Sequence, residues 1–312
     1  MKKILLHDEN KLKKINPETI AIFNKYKIDM VMRNLSEKTQ QHYIWNLQQW
    51  FIWVLDNQDN KSVMELTDED ITAFIYFCMQ QGNNAERIKV RLATISAFYK
   101  YMRKKRLIKE NPTEFIDRPK KTQRITVQTY LTPEQVAAMR EKLIGAKNLE
   151  LRLYAMLSLS TMARVSAIAS IRWNQIDMER KMIIGVREKE NKIVDLFFSD
   201  EVKCLLLILN AYRGEHNIKD NGYVFRGKSY SNKPISSATL YIWCKQIGHL
   251  IGVETLHPHD FRHSGATLLK NAGMPLEDVS TLLSHESTDT TKKYYIKQNT
   301  ARISSMKAVY NI

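Results

Sequence analysis

From about residue 16 to about residue 110, apolar side chains return every third or fourth position and never settle into the alternation of a strand. Ser36 opens the run SEKTQQHYIWNLQQWFIWVLD, in which Tyr43, Leu47, Trp50, Phe51 and Val54 share one helical face behind a hydroxyl suited to capping. Thr67 with Asp70 forms a capping-box pattern at the head of TDEDITAFIYFCMQQG, and Gly82 stands where that helix should stop. A further run, NAERIKVRLATISAFYKYMRKKR, carries Ile88, Leu92, Ile95, Phe98, Tyr99 and Met102 as its buried stripe. These patterns predict an all-helical first domain.

A chain of 312 residues is long enough for two domains, each with its own core. From Asn111 to about Gln128, NPTEFIDRPKKTQRITVQ holds two prolines, several charges and no sustained apolar period, the composition of an exposed connector. The expected division is a helical domain over 1–112, a linker over 113–128 and a second domain over 129–312. Basic residues crowd this junction. A charge run is usually a solvated face, but Arg103, Lys104, Lys105, Arg106, Lys120 and Lys121 lie where they equally suit a phosphate backbone.

The second half reads as mixed. Pro133 suits the first turn of a helix over TPEQVAAMREKLIG, and LELRLYAMLSLS continues in helical period. KMIIGVRE and IVDLFF are apolar runs of strand length around a polar turn, a hairpin signal. Helices resume at SDEVKCLLLILNAYR, at SSATLYIWCKQIGHLIG and from about Pro258. The expected fold class is mainly α (α+β): a helical domain, then a mostly helical domain with a small antiparallel sheet.

Lys and Arg exceed Asp and Glu by 48 to 33, a net charge of +15, and the excess runs through both halves. That balance favours a polyanionic partner over a merely soluble cationic protein. No stretch of about 18 apolar residues is present to span a bilayer. The opening MKKILLHDEN breaks too early for a secretory signal, so a cytoplasmic protein with no membrane partner is expected. Cys78, Cys204 and Cys244 are widely spaced within apolar or aromatic runs and read as core fillers.

Two motif matches mislead. GYVFRGKS, Gly222 to Ser229, fits the pattern of a phosphate-cradling P-loop, yet its variable positions are strand-like and YSNKP follows where a helix is required. His259 and His263 have the spacing of a helical zinc site, but HDFRH places Asp260 beside the first His and puts the fixed charge of Arg262 between the ligands. A phosphate removes both objections. His259 and Arg262 are three apart, so on a helix they share a face, and a planar guanidinium donates to two phosphate oxygens at once. A second cation is then needed for the charge that builds on a pentacoordinate phosphorus.

Here the residues resemble a known family. STMARVSAIASIRWNQID looks like the first conserved box of the tyrosine recombinases of the phage-integrase family, with Arg164 as its Arg and Trp173 and Asp177 downstream. HPHDFRHSGATLLKNAG resembles the second box, whose HxxR falls on His259 and Arg262. LLSHESTDTTKKYY resembles the end of that box, placing the family's His on His285 and its nucleophile on Tyr294. Tyr295 beside it reads as a packing aromatic. The boxes follow in the family's order, and the resemblance covers nearly the whole chain. Ala167 stands where many relatives carry an acid, Met162 and Ala163 replace Gly and Leu, and Ser284 replaces Gly.

The resemblance implies a site-specific recombinase that cleaves and rejoins DNA through a 3′-phosphotyrosyl intermediate and a four-way junction, without metal or cofactor. Tyr294 would be the nucleophile, Arg164 and Arg262 the phosphate ligands, His259 the proton-transfer aid and His285 a phosphate donor. Lys189, with Lys192 as fallback, would protonate the leaving 5′ oxygen. The implied partners are a double-stranded recombination site and, on synapsed DNA, a homotetramer, with accessory proteins left open. A type IB topoisomerase and a non-catalytic DNA-binding regulator share parts of the pattern. There is little room ahead of the first domain for an arm-binding module, which points to a Xer-like resolvase or a mobile-element integrase without separating them.

Overall fold

The computed structural model describes residues 8–119, 130–145, 148–188, 192–227 and 233–283. The chain divides into two compact units, Met1–Ile125 and Thr126–Ile312.

The first unit packs α1 (Glu9–Leu12), α2 (Pro17–Met32), α3 (Glu37–Asn57), α4 (Asp68–Gln80) and α5 (Ala85–Lys104) around one core. Local signals set the helix ends. Ser36 Oγ accepts from the amide of Thr39 at 3.2 Å, and Thr67 and Asp70 exchange the two bonds of a capping box at 3.3 and 2.9 Å. Gly82, at φ +76°, turns the chain out of α4 where a side chain would be strained. Leu47, Trp50, Phe51 and Val54 are buried from α3, as are Ile88, Leu92, Ile95, Phe98, Tyr99 and Met102 from α5, with Tyr43 packed at the core's edge. Trp50 meets Tyr99 and Phe51 meets Phe98 edge-on at 5.7 and 5.9 Å, contacts that add roughly 0.5–1.5 kcal/mol each beyond area burial.

The polar residues just after α5 fold back onto the first core. Asn111 and Thr113 are buried, with Asn111 Oδ1 accepting from the Thr113 amide at 3.0 Å and its hydroxyl at 2.8 Å, and Ile116 packs on the first core. An Asx turn satisfies the polar groups locally, so a polar sequence here folds back.

In the second unit, α6 (Pro133–Ile144) starts on Pro133 behind a Thr132–Gln135 capping box. Helix α7 (Leu149–Thr161) is buried nearly all round, through Leu151, Leu153, Tyr154, Ala155, Met156, Leu157 and Leu159, which makes it the central helix. Against it pack α6, α8 (Val165–Ser170), α9 (Asp200–Glu215), α10 (Ser237–Leu250) and α11 (Pro258–Asn271), with α12 (Leu276–Leu282) lying against α11. Strands β1 (Ile176–Asp177), β2 (Met182–Arg187) and β3 (Ile193–Phe197) form an antiparallel sheet in that order. Its register shifts between Ile183 and Val186, where Gly185 adopts φ +69° and its amide donates to Asp195 Oδ1 at 2.9 Å.

This packing bears on two of the sequence readings. The described part of GYVFRGKS is a bridge segment: Tyr223 pairs with Arg172, the Val224 amide donates to the Ile171 carbonyl at 3.0 Å, and Phe225 is fully buried. Arg213, itself buried, donates to Glu150 at 2.9 Å, Asp220 at 3.0 Å and the Val224 carbonyl at 2.7 Å, while Trp173 Nε1 donates to Asp220 at 2.8 Å. The pairing offsets the cost of removing those charges from water. Cys78 and Cys244 are core residues, but Cys204 is not: it is exposed on α9, whose buried side carries Val202, Leu205, Leu206 and Leu209.

Candidate active site

Helix α7 ends at Thr161, and Met162 turns the chain in the left-handed region at φ +54°, ψ 20°. That conformation costs a non-glycine residue roughly 1–2 kcal/mol. Met162 offsets it by burying its side chain beside Ala266, Val279 and Leu283. Two residues on, Arg164 is the N-cap of α8, with extended backbone at φ −68°, ψ 146° and no side-chain capping bond. Its guanidinium is directed instead to the carboxylate of Glu188.

Helix α11 opens with Pro258 at its first turn and His257 as N-cap. The His257 amide donates to Asp260 Oδ2 at 2.8 Å, and the His259 amide donates to His257 Nδ1 at 3.4 Å. The acid of HDFRH therefore caps a helix, and burial pushes its carboxyl above the usual range. With the first turn fixed, His259 and Arg262 face one cavity together.

Arg262 is 2% exposed. Its Nη1 donates to the Met162 carbonyl at 2.6 Å and its Nη2 to the Leu283 carbonyl at 2.5 Å. Met162 and Leu283 are the C-caps of α7 and α12, so the cation sits against the negative ends of two helix dipoles. Gly265, one turn along α11, permits this approach: a Cβ there would stand 2.4 Å from the Leu159 carbonyl oxygen and 2.5 Å from Met162 Cγ.

The acid near both arginines is Glu188, the residue after β2, with a side chain 1% exposed. Its Oε2 pairs with Arg164 Nη1, its Oε1 lies 3.9 Å from Arg262 Nη1, and its amide donates to the Lys192 carbonyl at 2.8 Å, closing the hairpin. Composition hid it, because an acid in the turn REKENKIV reads as solvated. The one available signal was Ala167, fully buried and unable to serve Arg164.

Arg164, His259 and Arg262 line a cavity of about 460 Å³ whose other wall is formed by Ala163, Tyr241, Ile242 and Pro258. Burial first, then the charges of Arg262, His257 and Arg164, lower the pKa of His259 below its ordinary 6.5. An imidazole that holds its proton less readily than usual thus faces a cationic pocket, an arrangement that attracts an anion. Among the described residues, no cluster of three or more His, Cys, Asp or Glu is arranged to hold a metal ion.

Lys189, His285 and Tyr294, with Lys120 and Lys121, lie outside the described residues. Arg103, Lys104, Lys105 and Arg106 are exposed at the end of α5. Of these, Arg103 pairs with Glu114 at 3.2 Å and the Lys105 ammonium lies 5.9 Å from the centroid of the Tyr101 ring.

Two solved structures share the fold. The XerH site-specific recombinase in a post-cleavage complex with a palindromic difH substrate is 17% identical, with a TM-score of 0.74 over 100% of this chain and 92% of that one. A lambda integrase dimer bound to a COC′ core site is 16% identical, with a TM-score of 0.69 over 89% and 95%. The architecture is that of the tyrosine recombinases and integrases. The phage integrase family model matches residues 129–302, and the phage integrase N-terminal SAM-like domain matches 22–109, so this chain belongs to the phage integrase family. Tyrosine recombinase XerD of Halalkalibacterium halodurans is 27% identical over 85% of this chain and 88% of its own length. Tyrosine recombinase XerC of Pediococcus pentosaceus is 26% identical over 89% and 92%.

Proposed function

We propose that this chain is a tyrosine site-specific recombinase that breaks and rejoins DNA strands at a recombination site. The observation that carries the reading is the convergence of Arg164, His259 and Arg262 on one cavity.

A free phenol has a pKa near ~10, so Tyr294 attacks phosphorus only with its proton withdrawn and its anion favoured. His259 accepts that proton. As the bond from the Tyr294 oxygen to phosphorus forms, Arg164 and Arg262 hold the non-bridging oxygens and His285 adds a hydrogen bond. The bond from phosphorus to the 5′ oxygen breaks, and Lys189, or Lys192 in its place, protonates the leaving group. The 3′-phosphotyrosyl bond keeps the phosphodiester energy, so a second strand's 5′ hydroxyl reverses the attack without ATP or a divalent cation.

In this reading residues 1–112 form the core-binding domain, 113–128 a linker and 129–312 the catalytic domain. Arg103, Lys104, Lys105, Arg106, Lys120 and Lys121 contact phosphates. Two rounds of exchange on paired sites pass through a four-way junction held by a homotetramer, with accessory proteins where directionality is needed. The enzyme works in the cytoplasm.

The test is a suicide duplex nicked beside the cleavage point, incubated with the full chain in chelator. A covalent protein–DNA adduct linked to a 3′ phosphate is expected. Cleavage that needs added magnesium or zinc, or a cut strand with no protein attached, overturns the proposal.

A further inference from the structure

We propose that Glu188 is the positioning residue of this site, a single carboxylate that sets the directions of Arg164 and Arg262 and ties them to the β2–β3 hairpin. The proposal rests on the reading that these two arginines hold the reacting phosphate.

Glu188 is too deeply placed for a surface acid. A buried carboxylate is costly unless it is paired and hydrogen-bonded, and its oxygens turn to different cations, Oε2 to Arg164 and Oε1 toward Arg262 at 3.9 Å. Two guanidinium groups aimed at one phosphate repel each other before it arrives. A carboxylate between them offsets that repulsion and leaves the trio with a single net positive charge.

The two arginines depend on it unequally. Arg262 is also anchored by two main-chain carbonyls. Arg164 sits at an N-cap, where the helix does not direct its side chain, and among the described residues Glu188 is the acid it pairs with. Ala167, one turn further along α8, is buried and apolar, so α8 offers Arg164 no acid from that position. A long side chain with many rotamers loses its direction when the carboxylate it pairs with is removed.

Position in the chain adds a second effect. The Glu188 amide closes the hairpin onto the Lys192 carbonyl, and Glu188 is covalently bonded to Lys189. One residue thereby ties the arginine that meets the phosphate to the facing ends of β2 and β3.

The test compares the parent with Glu188→Gln and Glu188→Asp by single-turnover cleavage of the suicide duplex, equilibrium DNA binding and Tm. Glu188→Gln keeps the shape and removes the charge. It is expected to bind DNA at least as tightly as the parent, because the site gains positive charge, yet to cleave at least about tenfold more slowly. Glu188→Asp should cleave faster than Glu188→Gln. A residue that only supported the fold would lower Tm, affinity and rate together. Cleavage by Glu188→Gln within about twofold of the parent, a rate loss matched by an equal loss of affinity, or an Asp variant no faster than the Gln variant overturns the proposal. Absence of adduct with the parent is a different result, and it removes the underlying reading of the site.

Discussion

Arg262 Nη1 donates to the main-chain carbonyl of Met162 at 2.6 Å, joining the second cation of the site to the left-handed turn that precedes the first. A lysine offers one ammonium where the guanidinium offers a fork, so Arg262→Lys cannot serve that carbonyl, the Leu283 carbonyl and a phosphate together. Cleavage should fall by about 100-fold or more, and stability by about 3 kcal/mol. Single-turnover kinetics and urea unfolding check the two halves separately, and near-parental cleavage would show that Arg262 does not hold the phosphate.

The close approach of α11 to the end of α7 predicts a second effect. In Gly265→Ala the new methyl meets the Leu159 carbonyl and the Met162 side chain, neither of which retreats freely in a packed interior. A loss of about 2 kcal/mol is expected, or roughly 4–8 °C in Tm for a domain of this size. Because the displaced helix carries Arg262, the cleavage rate should drop even where folding is complete. Unchanged thermal unfolding would contradict the packing.

The lowered pKa of His259 makes stability depend on pH in a definite direction. Folded His259 holds its proton less readily than the unfolded chain, whose value is near 6.5, so its contribution is complete above that pH and is lost as pH falls toward the folded value. Unfolding free energies measured at about pH 7.5 and 5.5 should differ less in His259→Gln than in the parent. An equal or larger difference in the variant would contradict the assignment.

Tyr294→Phe should abolish covalent capture while leaving DNA affinity within about twofold of the parent, since a lost hydroxyl removes the proposed nucleophile and no charge. Electrophoresis of the suicide-duplex reaction reads the first and a binding titration the second. Full adduct in this variant would move the nucleophile elsewhere, with Tyr295 the first residue to examine.

Binding should weaken steeply with added salt, as counterions displaced from the duplex compete to return. Lys104→Ala should lower the slope of log affinity against log salt by about 1 without changing which sequence is preferred. A flat salt response would remove the basic end of α5 from the DNA surface.

Much of this architecture was legible in the residues themselves, because its determinants are local. Helix starts at Ser36, Thr67 and Pro133 followed from caps, and the β2–β3 hairpin from two apolar runs around a charged turn. His259 and Arg262 were found through their spacing and Arg164 through the resemblance of its box to the family's, and the fold brings the three to one cavity. What escaped depends on contacts between segments distant in sequence. Glu188 matters through partners 24 positions before it and 74 after it, which no periodicity encodes. The left-handed turn at Met162 is sustained by side chains from α11 and α12. Asn111 and Thr113 escaped for the opposite reason, since a bond only two residues long folded a polar stretch that composition assigns to solvent.

The burial of two thiols and the exposure of the third has a practical consequence. Cys244 is pushed up to about 12 and Cys78 is also raised, both through burial, whereas Cys204 stands on the outer side of α9. A maleimide dye at neutral pH reacts with accessible thiolate, so the unaltered chain carries its own single attachment point. Fluorescent molecules prepared without mutagenesis could then be followed one at a time as they arrive on DNA and leave it.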